Sequence, residues 1–168
     1  MKEPALVIIK PDAIKKGLLG AVLSKFSEAD LEIIGIKIVR ATKALAESHY
    51  QHLRDKPFFP DLVNYFIGKF HQENKLWLIV YYAKEAIRKC RKIAGATNPE
   101  EADPLSLRGS LGRITTRGLF ENVVHVSESK KEAFREIKLW FSPEEISLEI
   151  YPAKKVMVKN YQQKVWYD

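Results

Sequence analysis

The sequence predicts an α+β fold of ferredoxin-like type, with helices covering an antiparallel sheet. Apolar runs of strand length alternate with segments whose apolar residues recur at helical spacing, in the order β-α-β, helices, β-α-β and a last helix. The 168 residues are 46% hydrophobic, enough for one domain with a substantial core. No repeat or linker divides the chain, so we expect residues 1–168 to form one domain, with about 147–168 as an extended C-terminal tail.

The first part of the chain predicts a strand, a helix and a second strand. Residues 6–9 form a β-branched apolar run that ends at Lys10, which indicates a buried strand with a lysine at its end. Residues 19–26 repeat apolar side chains every three or four positions, as a helix does when one face packs on a sheet. Residues 31–39 predict the next strand, with one face formed by Ile34, Ile36 and Ile38.

The middle of the chain predicts two helices, a central strand and another helix. Residues 44–53 are helical in pattern, and a second helix follows Pro57. Residues 76–82 are continuously apolar or aromatic, which is typical of a central strand. The apolar stripe predicted for the next helix consists of Ala83, Ile87, Cys90 and Ala94.

The last part of the chain predicts a long loop, a short strand and a helix. Residues 95–118 lack periodicity, and a loop of that length in a compact domain is usually functional. Residues 122–126 predict a short strand that contains His125. Ser129 and Glu132 have the spacing of a capping box. The inward face predicted for the helix that they begin consists of Ala133, Phe134, Ile137 and Phe141.

Composition narrows the class of protein without deciding it. The lone Cys90 excludes an internal disulfide framework and a cysteine-based zinc site. The sequence has neither a signal-peptide pattern nor an apolar run of membrane-spanning length, so we expect a cytoplasmic protein without membrane partners. The net charge of +7 suits polyanions, which include nucleic acid, anionic lipid and nucleoside phosphates.

His125 is the strongest candidate for chemistry. It lies in an apolar strand just before the start of a helix, where backbone N–H groups favour an anion. Glu136 follows eleven residues later and could fix the imidazole tautomer, which leaves the other ring nitrogen free to attack phosphorus. Each also has an ordinary interpretation: a strand histidine bonded to the backbone and a solvated helix glutamate.

Several other residues could bind a nucleotide. Lys10, Arg91 and Arg108 are cations suited to phosphate, although most lysines and arginines are simply solvated. Thr97 could donate a hydrogen bond from its hydroxyl to phosphate, and Asn122 could bind a ribose hydroxyl through its amide. Both residue types are also common in turns. Phe58 could present its face to a base or could belong to the core. Neither a GxxxxGKS/T loop nor a GxGxxG fingerprint is present, so nucleotide binding would need another scaffold.

Taken together, a series of short motifs strongly resembles nucleoside diphosphate kinases, in matching order from about residue 6 to residue 145. The motifs are Lys10-Pro11-Asp12-Ala13, His49-Tyr50, Lys56-Pro57-Phe58-Phe59-Pro60, Gly95-Ala96-Thr97-Asn98-Pro99, Leu107-Arg108-Gly109, Asn122-Val123-Val124-His125, Leu139-Trp140-Phe141 and Pro143-Glu144-Glu145.

The resemblance implies transfer of the terminal phosphoryl group from a nucleoside triphosphate to a diphosphate, by ping-pong kinetics through a phosphohistidine at His125. It implies that Glu136 and Ser127 support His125, that Tyr50 lies beside it, and that Lys10 contacts the terminal phosphate. The implied nucleotide contacts are Arg91, Thr97 and Arg108 for the phosphates, Asn122 and Lys10 for the ribose, and Phe58 and Leu62 for the base.

The resemblance also implies broad base and sugar specificity, because stacking on an aromatic ring does not read base edges. Mg²⁺ would arrive on the nucleotide phosphates and not in a protein cage. Homo-oligomers are implied, with a hexamer favoured and a dimer or tetramer possible.

The chain departs from the family pattern in four places. Val126 replaces the small residue usual after the histidine, and Ser110 replaces the usual aspartate after Arg-Gly. Extra residues occur between Phe66 and Leu76 and between Arg108 and Asn122. The tail after Ile146 is longer, although Val165-Trp166-Tyr167-Asp168 is similar to the usual terminus. Since every implied contact residue is present, we expect changes in rate, stability or assembly and not loss of activity.

Two other classes of protein compete with this interpretation. A basic α+β domain could be a nucleic-acid-binding module, but its aromatic residues lie in strongly apolar runs and no RNP-like signature occurs. A catalytically dead scaffold is improbable because His125 and its surrounding set are all retained. Binding of nucleic acid as a secondary role stays open.

Overall fold

The computed structural model describes residues 1–157. In chain order the strands are β1 (Lys2–Ile9), β2 (Glu32–Arg40), β3 (Lys75–Lys84), β4 (Arg113–Ile114), β5 (Phe120–Glu121) and β6 (Val124–Val126). The helices are α1 (Pro11–Lys15), α2 (Leu19–Ser27), α3 (Lys43–His49), α4 (Phe59–Phe66), α5 (Ala86–Ala94), α6 (Leu107–Leu111) and α7 (Lys130–Trp140), with 3₁₀ turns at Gln51–Leu53 and Pro143–Glu145. Val165-Trp166-Tyr167-Asp168 lies outside the described residues.

The centre of the fold is a four-stranded antiparallel sheet in the order β2-β3-β1-β6. This order and the helices around it confirm the predicted ferredoxin-like α+β fold. In β1, residues 5–9 are completely buried, because the strand lies inside the sheet and α5 and α7 both pack on it. A continuous β-branched and apolar run is what such a doubly covered strand requires. The end of β1 therefore places Lys10 beside β6.

Strand β2 differs from the prediction for its apolar face. Ile34 is buried, but Ile36 and Ile38 are about half exposed, at 50% and 51%. The register shifts between Ile33 and Gly35, and a bulge of this kind changes which side chains face the core. The C-terminal segment packs closely at the same place, since Ser147 N donates to Ile34 O at 2.8 Å.

Two helices also differ in detail from their predicted stripes. Ala83 belongs to β3, because Glu85 adopts a left-handed φ of 55° that separates the strand from α5. Phe134 is 42% exposed and meets the Tyr151 ring edge-on at 4.6 Å. The buried face of α7 instead carries Ala133, Glu136, Ile137 and Trp140. A carboxylate thus lies on the inward face of α7, where the apolar spacing had predicted Phe134.

The segment between Phe66 and Leu76 contacts the segment between Arg108 and Asn122. The predicted loop 95–118 contains α6 and β4, and β4 pairs with β5 in a small ribbon. His71, from the turn after α4, lies 3.0 Å from Glu121 Oε1 at the end of that ribbon. Arg117 lies over the Phe70 ring, 5.1 Å from its centroid. The two longer segments therefore form one local structure next to Asn122. None of the helices within residues 1–157 has the length and apolar character needed to cross a bilayer.

Candidate active site

The candidate site is centred on His125, in the middle of β6 at the edge of the sheet. His125 is paired with Ile8 of β1, and its side chain is 15% exposed. The pairing fixes the backbone of the histidine against the completely buried part of β1. One part of the ring can therefore be held inside the protein while another part remains accessible to a ligand.

Glu136 holds one nitrogen of the His125 ring. Its Oε1 lies 2.9 Å from Nε2 of His125, and its Oε2 accepts a hydrogen bond of 2.6 Å from Ser127 Oγ. Burial alone would raise the pKa of Glu136, but His125, Ser127 and Arg135 together hold this pKa below its usual value. An ionised carboxylate only accepts, so His125 carries its proton on Nε2 and Nδ1 keeps its lone pair. The structure thus brings His125, Glu136 and Ser127 together.

Lys10 and Asn122 form the next part of the site. Lys10 Nζ donates to Asn122 Oδ1 at 2.7 Å, and Asn122 Nδ2 donates to the carbonyl of Thr97 at 2.9 Å. Burial, and then the charge of Arg108, lower the pKa of Lys10 to about 7. The structure therefore brings Lys10, Asn122 and Thr97 together from three separate segments. Because the amine of Lys10 is buried and its pKa is lowered, a bound anion would favour its protonated form.

Among the residues that the structure describes, backbone carbonyls and not a carboxylate hold Arg108. Its two terminal nitrogens donate to Gly95 O at 2.8 Å and to Val124 O at 2.9 Å. Burial, followed by the charge of Arg91, lowers the pKa of this guanidinium to about 10. Its Nε is buried and has no hydrogen-bond partner within residues 1–157. A buried cation without a counter-ion is a favourable contact for phosphate.

Asp12 supports the backbone just before His125, a role that we did not predict. Val123 has a φ of 68°, a left-handed conformation that is strained for a β-branched residue. Asp12 Oδ2 accepts from Val123 N at 3.0 Å, and its Oδ1 accepts from Tyr65 OH at 2.5 Å. Lys10 N donates to Val123 O at 2.9 Å. The position of Asp12, directly after Lys10-Pro11 at the end of a predicted strand, is the feature of the sequence that could have indicated this role.

Two aromatic residues at the end of α3 contact the His125 ring. The Tyr50 and His125 rings have centroids 6.2 Å apart, and the Tyr50 hydroxyl is buried without a partner in the described part of the chain. Burial raises the pKa of Tyr50, so the phenol stays protonated. His49 is closer, with centroids 4.4 Å apart and planes at 78°. We did not assign His49 a role from the sequence.

The remaining predicted residues lie at the surface of the site. Arg91 is exposed on α5, and its charge acts on the site by lowering the pKa of Arg108. Thr97 is also exposed and joins the site through its carbonyl. Phe58, at the start of α4, is 50% exposed, and Leu62 is partly buried one turn later. Neither hydrogen-bonds to His125 nor stacks on its ring in the part of the chain that the structure describes.

His49, His125 and Glu136 also form a cluster of possible metal ligands, with one atom of each within 4.8 Å of the others. Two imidazoles and one carboxylate do not suit Mg²⁺, which prefers oxygen ligands. Both oxygens of Glu136 are already engaged by His125 and Ser127. The cluster therefore does not provide a cage for magnesium.

The sequence matches the family model described as nucleoside diphosphate kinase over residues 3–146. A curated relative, the nucleoside diphosphate kinase of Pyrococcus horikoshii, is 41% identical over 144 residues, which cover 86% of this chain and 88% of the relative.

Two solved structures agree with this match. The nucleoside diphosphate kinase of Borrelia burgdorferi, described as a transition-state mimic with bound vanadate and ADP, has a TM-score of 0.78 and 28% identity, covering 92% of this chain and 93% of its own. The enzyme of Halobacterium salinarum in complex with CDP has a TM-score of 0.78 and 31% identity, covering 87% and 91%.

Proposed function

The chain belongs to the nucleoside diphosphate kinase family of phosphotransferases, and from this premise we propose that it passes the phosphoryl group between nucleotides through His125. The observation that carries the proposal is the buried contact of 2.9 Å between Glu136 and Nε2 of His125. Because that contact occupies Nε2, the nucleophile is Nδ1.

In the first half-reaction, the Nδ1 lone pair attacks the terminal phosphorus of a nucleoside triphosphate. The N–P bond forms while the bond from phosphorus to the bridging oxygen breaks, and the nucleoside diphosphate leaves with those electrons. The ring becomes cationic, and the Glu136 carboxylate stabilises it through the Nε2 proton. In the second half-reaction the terminal oxygen of another diphosphate attacks phosphorus and the N–P bond breaks. The two halves give ping-pong kinetics.

Lys10 and Arg108 stabilise the phosphate oxygens during both steps. Each has a pKa lowered mainly by burial, so each gains from the approach of negative charge. Arg91, with its exposed guanidinium, Thr97 and the protonated hydroxyl of Tyr50 complete the set of donors that we assign to the phosphates. Phosphoryl transfer chiefly needs positioning and charge stabilisation, which this set supplies.

The base and the sugar bind farther from His125. Phe58 and Leu62 offer an apolar surface for any base, and Asn122 with Lys10 binds the ribose hydroxyl. The bound ADP and CDP of the Borrelia and Halobacterium relatives support entry of both purine and pyrimidine nucleotides. Since stacking does not read base edges, we propose broad base and sugar specificity.

Magnesium would come with the nucleotide and neutralise part of the phosphate charge, since the His49, His125 and Glu136 cluster does not suit it. We place the protein in the cytoplasm as a homo-oligomer, with a hexamer favoured over a dimer or tetramer. The half-exposed Ile33, Ile36 and Ile38 of β2 support self-association. Binding of nucleic acid would be secondary to nucleotide chemistry.

The test is incubation with γ-labelled ATP and magnesium, followed by intact mass and acid-lability analysis. Acid-labile phosphate that passes to added GDP, and that is lost in His125→Ala, supports the mechanism. His52→Ala is the matched control, because His52 is an exposed histidine near the same region. A phosphoenzyme that persists in His125→Ala, or that never forms, would overturn the proposal.

A further inference from the structure

We propose that His49 donates a hydrogen bond from Nε2 to the phosphoryl group while that group is attached to His125. The inference rests on the phosphohistidine mechanism above and adds a contact to it. Four observations carry it: the tautomer of His49, its rigid placement, its unpartnered nitrogen, and its closeness to His125.

Trp140 fixes the His49 tautomer. The indole Nε1 of Trp140 lies 3.2 Å from Nδ1 of His49. An indole N–H can only donate, so Nδ1 must accept and keeps its lone pair. The proton of the neutral His49 ring is therefore on Nε2. His49 is completely buried, and this burial, reinforced by Arg135 and the other basic residues around the ring, lowers its pKa, so the ring stays neutral.

The ring of His49 is held rigidly. Arg135 donates from its two terminal nitrogens to the carbonyls of Ser48 and His49, at 2.9 and 2.8 Å, which ties the end of α3 to α7. The Phe66 ring stacks parallel to His49 at 5.3 Å. A side chain bonded at Nδ1, stacked on one face and fixed at its backbone has little freedom to turn away.

Nε2 of His49 is buried and has no hydrogen-bond partner within residues 1–157. An unsatisfied buried donor is costly, and native structures keep few of them without a reason. The His49 and His125 rings are perpendicular neighbours, with centroids 4.4 Å apart. Phosphorylation of His125 would add three strong acceptor oxygens beside this donor. A phosphoryl group on the neighbouring ring therefore has the acceptor atoms that this donor lacks.

The same cluster could instead bind a transition metal, since His49, His125 and Glu136 each have one ligand atom within 4.8 Å of the others. Metal on Nε2 of a neutral histidine requires the proton on Nδ1. That proton would oppose the Trp140 N–H, and two donors cannot bond to each other. The tautomer set by Trp140 thus favours donation over ligation.

Two substitutions separate donation from packing. An asparagine amide at position 49 reaches about as far as Nδ1. His49→Asn can therefore still accept a hydrogen bond from Trp140, but it has no N–H group at the position of Nε2. A glutamine amide reaches about as far as Nε2, so His49→Gln restores that donor. We expect His49→Asn to slow single-turnover phosphoenzyme formation from ATP by about 10-fold or more, the effect of one hydrogen bond to a charged group. Its dissociation constant for ATP should stay within about twofold, and His49→Gln should recover most of the rate.

A wild-type rate in His49→Asn, or an equal loss in both variants, would overturn the proposal. The intact wild-type protein gives a second test that needs no folded variant. Nitrogen-15 NMR should show an unprotonated Nδ1 on His49, and the Nε2 proton should shift downfield when His125 is phosphorylated. A protonated Nδ1, or an Nε2 proton that does not respond, would contradict it. If wild-type protein forms no phosphoenzyme, the proposed function itself fails, which is a separate result.

Discussion

Replacement of Glu136 by glutamine removes the charge that we expect to stabilise the phosphorylated imidazole. The side chain keeps its size, and Glu136 is only 1% exposed, so packing should change little. The amide oxygen can still accept from His125 Nε2, but its nitrogen then faces Ser127 Oγ, which must turn its own hydrogen away. The hydrogen bond to the ring survives as a neutral contact.

The magnitude follows from the difference between the two kinds of hydrogen bond. A bond to a charged group contributes about 1.5–3 kcal/mol and a neutral one about 0.5–1.5 kcal/mol, so the change costs about 1–2 kcal/mol. The transition state carries developing positive charge on the ring, so most of this cost raises the barrier. The expected slowing is roughly 5- to 30-fold, since about 1.4 kcal/mol is a factor of ten.

Rapid-quench measurement of phosphoenzyme formation in a single turnover gives this rate directly. Glu132→Gln is the matched control, because Glu132 lies one turn earlier on α7 and pairs with Arg135 away from His125 Nε2. The control should react at the wild-type rate, and both variants should bind ATP normally. A Glu136→Gln rate within about twofold of wild type, or an equal loss in Glu132→Gln, would refute the role assigned to this carboxylate.

Three further predictions concern binding, pH dependence and stability. Because the pKa of Lys10 is lowered to about 7, this amine is largely neutral in the free protein at about pH 8.5. Binding of a triphosphate should therefore be accompanied by uptake of a proton by Lys10 at that pH, but not near about pH 6, where the amine is already protonated. Calorimetry in two buffers of different ionisation enthalpy measures this uptake, which Lys10→Gln should abolish. Without nucleotide, the Lys10 contribution to the free energy of unfolding should rise from about pH 7 toward pH 10, since the unfolded chain binds this proton more tightly. Phe58→Ala should raise KM for purine and pyrimidine nucleotides alike by about 10-fold through lost stacking, with kcat and unfolding temperature little changed in steady-state and melting assays. Gly109→Ala places a Cβ 2.1 Å from Asp103 O and should lower the free energy of unfolding by about 1–3 kcal/mol in urea titrations; an unchanged midpoint would contradict the predicted crowding.

The placement of Glu136 beside His125 could be predicted because its determinants are local in sequence. A short apolar strand, a capped helix start and a glutamate eleven residues later bring one carboxylate to one imidazole, and in the structure the two groups lie 2.9 Å apart. The ferredoxin-like fold could also be predicted from the order of the elements, because connections between them are short and crossover connections have a preferred hand. The family resemblance adds the partners that lie far apart in the chain, such as Lys10 and Asn122.

The features that sequence missed depend on packing between distant elements. His49 meets His125 and Trp140 only because α3, β6 and α7 pack together, and the sequence around His49 indicates neither contact. The alternation of Ile34, Ile36 and Ile38 continues through β2 without a break, so strand periodicity could not show the bulge between Ile33 and Gly35. Phe134 was assigned to the core because the period of α7 was read from apolar residues alone, although Glu136 occupies the inward face.

The central claim is that Nδ1 of His125 carries the phosphoryl group because Glu136 occupies Nε2. The most direct test is to form the phosphoenzyme, digest it under alkaline conditions that preserve phosphohistidine, and identify the isomer by chromatography against the two standards. Our account predicts the isomer phosphorylated on Nδ1, located at His125 by peptide mass. Phosphate on Nε2, or on a residue other than His125, would contradict it.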